Sequence, residues 1–515
     1  MKPIVLTQLS FEGVRDSLDP STAEPRKAQQ LQNCYPVDRF LGAAVVGRPG
    51  FQQSGGTLVA GKSIQGIVQY SKLDATETTV AFVNGLMYKF NWSTRVWTNV
   101  ALGGGAALST TAKIDAITFA NVLVVSDGVN TPFQWDGTTF TVLANCPVLY
   151  GPPTVYYAKL MGVTAANHTQ FTWSQENDPT TGYTSGGFNN AWILGQTRQD
   201  AINRLIGTNA ALYYFRERSC GYISGAVTTD FVSAGTREGV SETVGTKSPR
   251  AVVLYEQGLY FLSADGQPYV IQVGGGLHPL WADLRETVAT FTRASLPSAL
   301  GVADPLTQMV LLGVVDTNQD NPSLYIAIDT RTGLIGGLWD GFQSTAMAMT
   351  KDANLVPRIM HGTKNGAVYD HGDPAGSLWN DGNSTADGGT LAITHTVKGS
   401  PQGYDLQMEK IFDRVDISVR LQTNLTGVQI DYETPRGIST AQTLNFTGTF
   451  AEWDVAIWDT DLWPSDELEH HFALGWDGRG RWASTRIRHG YGTERFGLLG
   501  WTIIALPDGP DPGIP

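Results

Sequence analysis

The densest group of possible metal ligands in the sequence is His470-His471, which Glu467 and Glu469 precede. Imidazole and carboxylate groups are ligands that zinc accepts in proteins, so these residue types would suit a metal site. Adjacent residues of a β-strand point to opposite faces, and the two histidines of one strand could therefore not bind the same ion without a bulge. We interpret the segment as an ordinary strand after an acidic loop, and we expect no metal or other cofactor.

A second candidate group combines three carboxylates with three tryptophans in the segment 451–464. Closely spaced carboxylates could carry out acid and base catalysis. Two other interpretations stay open: an aromatic ladder that faces the core from a twisted strand, or a protein interface, where tryptophan is enriched. The carboxylates are Asp454, Asp459 and Asp461, and the tryptophans, which are candidate interface residues, are Trp453, Trp458 and Trp463.

Arginines cluster near the C-terminus, although the chain has a net charge of −13. Such a cluster could contact nucleic-acid phosphates, but arginine is also frequent in protein interfaces, where it pairs with acidic side chains. An otherwise acidic chain favours the second interpretation. The cluster comprises Arg479, Arg481, Arg486, Arg488 and Arg495, of which Arg486 and Arg488 are candidate interface residues, together with Arg15 and Arg48 near the N-terminus.

The elements that must position these groups repeat along the chain. Residues 81–97 and 124–142 share one order: an apolar strand, an Asn-Gly or Asp-Gly turn, an aromatic strand, a polar turn and a further strand. A unit that recurs about every 40 to 50 residues is typical of a β-propeller blade. One small twisted sheet cannot bury both of its faces and must stack on its neighbours. The sequence therefore predicts an all-β fold built around a propeller.

Further blade-like units follow, and six or seven blades can be counted between residues 52 and 375. After the third unit, residues 176–190 contain Asp-Pro and Gly-Gly pairs that indicate a long surface loop. The units span 64–101, 114–144, 155–174, 202–225, 251–271, 309–339 and 359–369.

Segments of different character flank the propeller. Residues 1–51 do not resemble a blade, and we expect an N-terminal arm with a helix-compatible stretch at 24–31. Residues 376–390 are rich in Gly, Asn, Asp and Ser and predict a linker. Beyond the linker, apolar and polar residues alternate, as in half-buried antiparallel strands, so residues 391–515 predict a separate C-terminal antiparallel β-sandwich domain.

No motif in the sequence indicates an enzyme. GxSxG, HExxH and a GxGxxG that opens a helix are absent. Glycosidases with a propeller fold of the sialidase type repeat a Ser-x-Asp-x-Gly-x-Thr-Trp turn, and the nearest match here, at 263–267, lacks its end and does not recur. We therefore expect a protein without catalytic activity.

Composition limits the partners and the compartment. Charged residues make up only 16% of the 515 residues, which argues against a surface that holds nucleic acid. The three cysteines, Cys34, Cys146 and Cys220, are widely spaced and odd in number, so we expect buried thiols in a reducing compartment. The N-terminal apolar run is too short for a signal peptide, and no run could span a bilayer. We expect synthesis in the cytosol and no stable membrane insertion.

Several short motifs occur in an order that covers most of the chain. They are Gly13-Val14-Arg15-Asp16, Asp19-Pro20, Gly47-Arg48-Pro49-Gly50-Phe51, Trp173-Ser174, Tyr213-Tyr214-Phe215, Gly221-Tyr222-Ile223-Ser224-Gly225, Gly245-Thr246-Lys247-Ser248-Pro249 and Leu259-Tyr260-Phe261-Leu262. With the arm, the propeller and the C-terminal β-domain, they make the chain resemble the tail-tube or nozzle proteins of short-tailed bacteriophages, the tail tubular protein B group.

The resemblance implies a structural virion protein of the tail, made in the host cytoplasm. Members of the group form a homohexameric ring below the portal and the head-to-tail adaptor protein, extend the DNA channel, help to retain packaged DNA and carry tail fibres or spikes. An acidic wall fits this role, because it lets double-stranded DNA slide through without sequence-specific binding.

Two other classes of protein stay open at this point. One is a carbohydrate-binding or depolymerising propeller of a phage tail, which tryptophan-rich loops and a central funnel would suit. The other is a bacterial propeller scaffold unrelated to phages.

Overall fold

A computed structural model gives the fold. It describes residues 4–8, 11–16, 26–37, 44–185, 188–189, 191–193, 201–227, 236–256, 258–316, 319–372, 380–381, 391–402, 409–420, 425–446, 469–490 and 497–507. In these ranges, no helix is both long enough and apolar enough to cross a membrane.

The N-terminal segment forms strands and is not an arm. Residues 27–32, which overlap the helix-compatible stretch predicted at 24–31, form a strand because other strands pair with both of its edges. Tertiary pairing of this kind overrides a local helix preference. The strands are β1 (Ile4–Gln8), β2 (Gly13–Val14), β3 (Lys27–Gln32), β4 (Cys34–Val37), β5 (Ala44–Gly47) and β6 (Phe51–Gln53).

Seven antiparallel sheets, which we number blades I to VII, follow along the chain, so the upper of the two predicted blade counts is confirmed. Blade I contains β7 (Ile64–Ser71), β8 (Glu77–Val83), β9 (Leu86–Asn91) and β10 (Val96–Val100). Blade II contains β11 (Asp115–Phe119), β12 (Val122–Ser126), β13 (Phe133–Trp135) and β14 (Phe140–Val142). Blade III contains β15 (Leu149–Tyr156), β16 (Lys159–Thr164), β17 (Asn167–Gln175) and β18 (Asp178–Gly182), and the short strands β19 (Thr184–Ser185), β20 (Phe188–Asn189) and β21 (Ala191–Ile193) follow.

The other four blades have the same plan. Blade IV contains β22 (Ile202–Gly207), β23 (Leu212–Arg216), β24 (Cys220–Ser224) and β25 (Thr236–Ser241). Blade V contains β26 (Val252–Tyr255), β27 (Gly258–Leu262), β28 (Pro268–Gln272) and β29 (Leu277–Pro279), after which come two 3-10 turns (Trp281–Leu284 and Arg293–Ser298) and the helix α1 (Arg285–Ala289). Blade VI contains β30 (Leu300–Asp304), β31 (Met309–Val314), β32 (Leu324–Asp329) and β33 (Leu334–Trp339). Blade VII contains β34 (Ala346–Lys351), β35 (Pro357–Gly362), β36 (Val368–His371) and, as its fourth strand, β6.

Strand alternation explains why the blades stack in a ring. Val80 and Phe82 of β8 pack against blade II, whereas Ala81 and Val83 of the same strand pack against blade VII. Each of the seven boundaries between neighbouring blades has its own cluster of buried apolar side chains. The ring is therefore closed, and each blade buries both faces of its sheet.

The N-terminus closes the ring by completing blade VII. Strand β6 pairs antiparallel with β36, with Gln53 opposite Tyr369. Next to this pair, the Arg95 guanidinium of blade I lies 2.5 Å from a carboxylate oxygen of Asp370. The hydroxyl of Ser54 donates a hydrogen bond of 2.6 Å to the same carboxylate. Chain segments from both ends of the propeller thus hold blades I and VII together.

The C-terminal strands form two sheets that face each other. One sheet has the order β4-β5-β46-β40-β44, with β1 on β46, and the other contains β3, β39, β45, β41 and the short strands around them. The C-terminal strands of these two sheets are β39 (His395–Gly399), β40 (Lys410–Arg420), β41 (Leu425–Thr434), β42 (Gly437–Ile438), β43 (Gln442–Phe446), β44 (Glu469–Gly480), β45 (Ser484–His489) and β46 (Gly497–Pro507). Two short strands before them, β37 (Asn380–Asp381) and β38 (Leu391–Ala392), instead extend the sheet of blade VII beyond β6.

The sandwich is not separate from the propeller, in contrast to the prediction. Strand β3 lies between β33 of blade VI and β39, and Gln32 pairs with Leu338 in parallel orientation. One apolar core runs from the sandwich, where Phe11 packs on Trp501 at 5.4 Å between ring centroids, into blades V and VI. The N-terminal segment therefore belongs to both units.

Two further predictions concern connecting segments. The surface loop predicted at 176–190 is wrong in part, because residues 178–182 form β18 and pair with β17. In the predicted linker 376–390, the structure describes only Asn380–Asp381, and Asp381 pairs with Phe51 of β6. The other residues of that linker lie outside the described ranges.

Candidate functional site

The innermost strands of all seven blades begin around one cavity of about 180 Å³. At about 30 Å³ per water molecule, this volume corresponds to roughly six waters and is far below the space that double-stranded DNA needs. The propeller of a single chain is therefore not a DNA conduit. The lining residues are Gln65, Gly66, Ile67, Ile114, Asp115, Ala116, Pro152, Arg204, Pro249, Arg250, Val252, Leu300, Gly301, Thr345, Ala346 and Met347.

Three cationic side chains lie at this cavity: Arg204 and Arg250 line it, and Lys113 reaches Thr345, which also lines it. Arg250 forms a two-pronged ion pair with Asp115, with distances of 2.9 Å from Nε to Oδ1 and 2.5 Å from Nη2 to Oδ2. Arg204 donates from Nη1 to the carbonyl of Pro152 at 2.8 Å. Lys113 donates from Nζ to the carbonyl of Thr345.

The charges of this cluster are not balanced. Asp115 is the one carboxylate among the lining residues that the structure describes, and it faces three cations. Burial, with the positive charge of Arg250, lowers the pKa of Lys113 to about 8, and Asp115 only partly opposes that shift. Burial likewise lowers the pKa of Arg204 to about 10. The enclosed Nε of Arg204 has no hydrogen-bond acceptor among the described residues. We call Lys113, Asp115, Arg204 and Arg250 the channel cluster.

The sequence alone did not predict the channel cluster. Its members stand at the starts of inner strands of blades II, IV and V, or one or two residues before them, and lie up to 137 residues apart in the sequence. A charged residue at the first position of a blade's innermost strand, such as Asp115, is the one sequence feature that could have pointed to this site. These four residues come together only because the ring closes, and the sequence of a single blade contains no information on that closure.

Arg48, a candidate interface residue, is instead part of the interior, with 1% of its surface exposed. Its Nε donates to Asn33 Oδ1 at 2.9 Å and its Nη2 to the carbonyl of Asp340 at 2.8 Å. The guanidinium also lies over the ring of Phe342, 5.3 Å from the centroid. The prediction of an exposed contact is wrong because the N-terminal segment is buried between blade VII and the sandwich.

Two pairs of buried histidines lie on either side of Arg48. His361 Nδ1 and His371 Nε2 are 3.0 Å apart, and the rings of His395 and His489 stack with 6.0 Å between centroids. Burial, with the charge of Arg48, lowers the pKa of His361 to about 3. Burial, a neighbouring imidazole and Arg48 hold the pKa values of His371 and His395 well below their ordinary value. The imidazoles of His361, His371 and His395 are therefore neutral parts of the core.

Arg486 and Arg488, two other candidate interface residues, contact one carboxylate of the same chain. Arg486 Nε lies 2.9 Å from Asp431 Oδ1, and Arg488 Nη2 lies 2.8 Å from Asp431 Oδ2. The Asp431 side chain is 2% exposed, whereas the two arginine side chains are 27% and 36% exposed. Both arginines thus hold a buried acid on β41 and still present part of their surface to the exterior.

The remaining candidate residues are placed as follows. Arg15 is half-buried after β2, and its backbone N–H donates to Ala28 at 2.8 Å. His470 and His471 are consecutive in β44, opposite Val419 and Ser418, and the pairing has no bulge at this point. Within the described ranges, no group of three or more His, Cys, Asp and Glu side chains could hold a metal ion. Trp453, Trp458 and Trp463 lie outside the described residues.

The cysteines are buried, as predicted, and form no disulfide. Burial raises the pKa of Cys146 and that of Cys220 to about 12, and it raises the pKa of Cys34 further still. Since the thiolate is the reactive form, these side chains are inert parts of the core.

No protein-family model and no curated protein matches the chain. Among solved structures, BamB from Moraxella catarrhalis is similar at 11% identity and a TM-score of 0.37, over 72% of this chain and 99% of BamB. The N-terminal domain of Nup159 is similar at 12% identity and a TM-score of 0.38, over 63% of this chain and 95% of that domain. PorZ of Porphyromonas gingivalis is similar at 11% identity and a TM-score of 0.39, over 69% of this chain and 43% of PorZ. Likeness at this level does not extend to function.

Proposed function

We propose that the protein is a non-enzymatic ring subunit of the tail nozzle of a short-tailed bacteriophage. Six copies would surround the tail axis below the portal and adaptor, extend the DNA channel and carry fibres or spikes. The ordered motifs that resemble the tail tubular protein B group support this proposal.

The observation that carries the proposal is the position of one of those motifs, residues 47–51. Gly47 ends β5 of the sandwich, Arg48 is enclosed between the two units, and Phe51 begins β6 of blade VII. A Cβ on Gly47 would collide with the imidazole of His395 on β39. The motif therefore joins the propeller to the sandwich through buried backbone, which suits a subunit that must transmit force without a hinge.

In this proposal the DNA conduit would lie between copies of the chain. Side chains from all seven blades narrow the centre of one propeller to the small cavity of the channel cluster, which supports a conduit enclosed by several copies over one through a single propeller. A net charge of −13 per chain favours a conduit wall that does not retain the phosphate backbone. Arg486 and Arg488 form ion pairs with Asp431 of the same chain, so part of the positive charge near the C-terminus contacts protein.

Other groups with shifted pKa values favour a structural role over catalysis. The three thiols and His361, His371 and His395 lie in the core, where burial is the largest cause of each shift. A catalytic group with a shifted pKa would instead be expected in a cleft that a substrate can enter.

Cryo-electron microscopy of purified tailed particles that contain the chain tests the proposal. A sixfold ring on the tail axis, with each copy recognisable by its seven blades and the attached sandwich, is the expected result. A single copy per tail, or a location at the tail periphery, would overturn it. Release of reducing ends from capsular polysaccharide by the purified chain would favour the depolymerising propeller instead.

A further inference from the structure

We propose that the channel cluster is a binding site for one tetrahedral oxyanion, phosphate or sulfate, between the inner strands of the propeller. The inference rests on the cavity between the inner strands, the three cations at it and the donor of Arg204 that has no acceptor among the described residues. It does not depend on a role in a phage tail, since any propeller with this cluster would have the same site.

The charge inventory points to an anion. Asp115 neutralises Arg250 through two hydrogen bonds, which leaves the charges of Lys113 and Arg204 without a carboxylate among the described lining residues. Enclosed cations that face no counter-ion are costly, and a bound anion would lower that cost. The lowered pKa of Lys113 agrees with this imbalance, because a nearby negative charge would raise it.

The donor geometry favours a tetrahedral anion over a planar carboxylate. Lys113 precedes the inner strand of blade II, Arg204 lies in that of blade IV, and Arg250 precedes that of blade V. Donors that approach from different sides of the ring require an acceptor whose oxygens point in several directions. Guanidinium groups match phosphate-type oxygens well, and the Nε–H of Arg204 has no acceptor among the described residues.

The cavity size limits the ligand to one anionic group. A space of about 180 Å³ is below the roughly 300 to 1,000 Å³ of pockets for drug-sized ligands. The site therefore fits an inorganic ion or the terminal group of a phosphate ester.

The competing explanation is that the cluster only links blades. Lys113 reaches Thr345 of blade VII, Arg204 reaches Pro152 of blade III, and Arg250 reaches Asp115 of blade II. These bonds alone would satisfy a structural role. They do not use the Nε of Arg204, and they leave the excess positive charge in place.

Isothermal titration of the full-length chain with inorganic phosphate, in chloride buffer of constant low ionic strength, tests the proposal. We expect one phosphate per chain, and Arg204→Gln should weaken the affinity about tenfold or more, because a hydrogen bond to a charged group is lost. Arg293→Gln is the matched control, since Arg293 is an exposed arginine with a side chain that is 73% exposed. It should leave the affinity unchanged.

Sulfate, acetate and glycerol phosphate complete the titrations. Sulfate should bind like phosphate, and binding of glycerol phosphate would identify a phosphate ester as the source of the group. Acetate that binds as tightly as phosphate would overturn the tetrahedral assignment. Absence of phosphate binding, or equal loss of affinity in both arginine variants, would overturn the site.

A second measurement on the unmodified chain avoids any folding defect of the variant. Phosphate should slow acetylation of Lys113 by acetic anhydride, followed by mass spectrometry, and should not affect Lys364, whose side chain is 52% exposed. If phosphate leaves the rate at Lys113 unchanged, or slows both lysines equally, the cluster only links blades.

Discussion

Mild acid should loosen the junction between the propeller and the sandwich, because three neutral imidazoles are enclosed there around Arg48. His361 and His371 lie on blade VII, and His395 lies on β39. Each imidazole has a folded-state pKa below the ordinary value of 6.5. In the unfolded chain the same side chains take up protons as the pH falls below 6.5, so acid favours unfolding.

The size of the effect follows from proton linkage. Below pH 6.5, each such histidine costs about 1.4 kcal/mol of folding free energy per pH unit until its folded pKa is reached. At pH 5 the loss from His361, whose folded pKa is about 3, is about 2 kcal/mol, and His371 and His395 add to this loss in the same direction. His361, whose pKa is about 3, should remain neutral in the fold throughout this range. Carboxylates with ordinary pKa values change little between pH 7 and pH 5.

Urea unfolding followed by tryptophan fluorescence between pH 7 and pH 5 measures this loss. The free energy of unfolding should be constant above pH 6.5 and decrease steadily below it. His361→Gln should make the decrease shallower by about one proton's contribution, roughly 1.4 kcal/mol per pH unit. His278→Gln, a change at an exposed histidine on β29, should leave the slope as it is. A stability that does not change from pH 7 to pH 5, or an equal effect of both substitutions, would refute the reasoning.

Three other results are expected. Replacing Arg486 and Arg488 together with glutamine leaves the buried Asp431 carboxylate without these cations and should lower the free energy of unfolding by about 3 to 5 kcal/mol; an unchanged urea midpoint would contradict this. Arg95→Ala removes the ion pair with Asp370 at the closure of the ring and should lower the stability by about 1 to 3 kcal/mol. If the substitution weakens the closure of the ring, backbone amides of β6 and β36 should exchange hydrogen faster than in the unmodified protein. Unchanged exchange in these two strands would contradict a role of Arg95 in the closure. The three cysteine thiols should react with Ellman's reagent only after unfolding, and rapid labelling of the native protein would show that one of them reaches the surface.

The propeller was predictable because its signal is local. In β8, the four consecutive apolar residues 80–83 supply buried side chains to both faces of the strand, and the Asn84-Gly85 pair ends it. Both residues have positive φ, 50° and 73°, as a tight hairpin turn between β8 and β9 requires. Strand, turn and aromatic strand therefore recur in an order that can be recognised without knowledge of the fold. The exact number of blades depended on the last unit, whose outer strand comes from the N-terminus.

The N-terminal segment was misjudged because its partners are far away in the chain. Residues 27–32 acquire strand structure from β33 and β39, which lie about 300 to 370 residues later. Arg48 had the residue type of a surface contact, and its burial depends on Asp340 and Phe342, which are also distant. Local preference contains no information on such pairings.

The sequence by itself determined the all-β class, the repeated blades and the strands of the C-terminal region, because alternation and turn residues act over a few positions. Only the tertiary structure decided how the N-terminus closes the ring, how one core joins the propeller to the sandwich, and how Lys113, Arg204 and Arg250 meet. Each of these features requires chain segments that are distant in sequence to come together, and closure of the ring brings the starts of seven inner strands to one point.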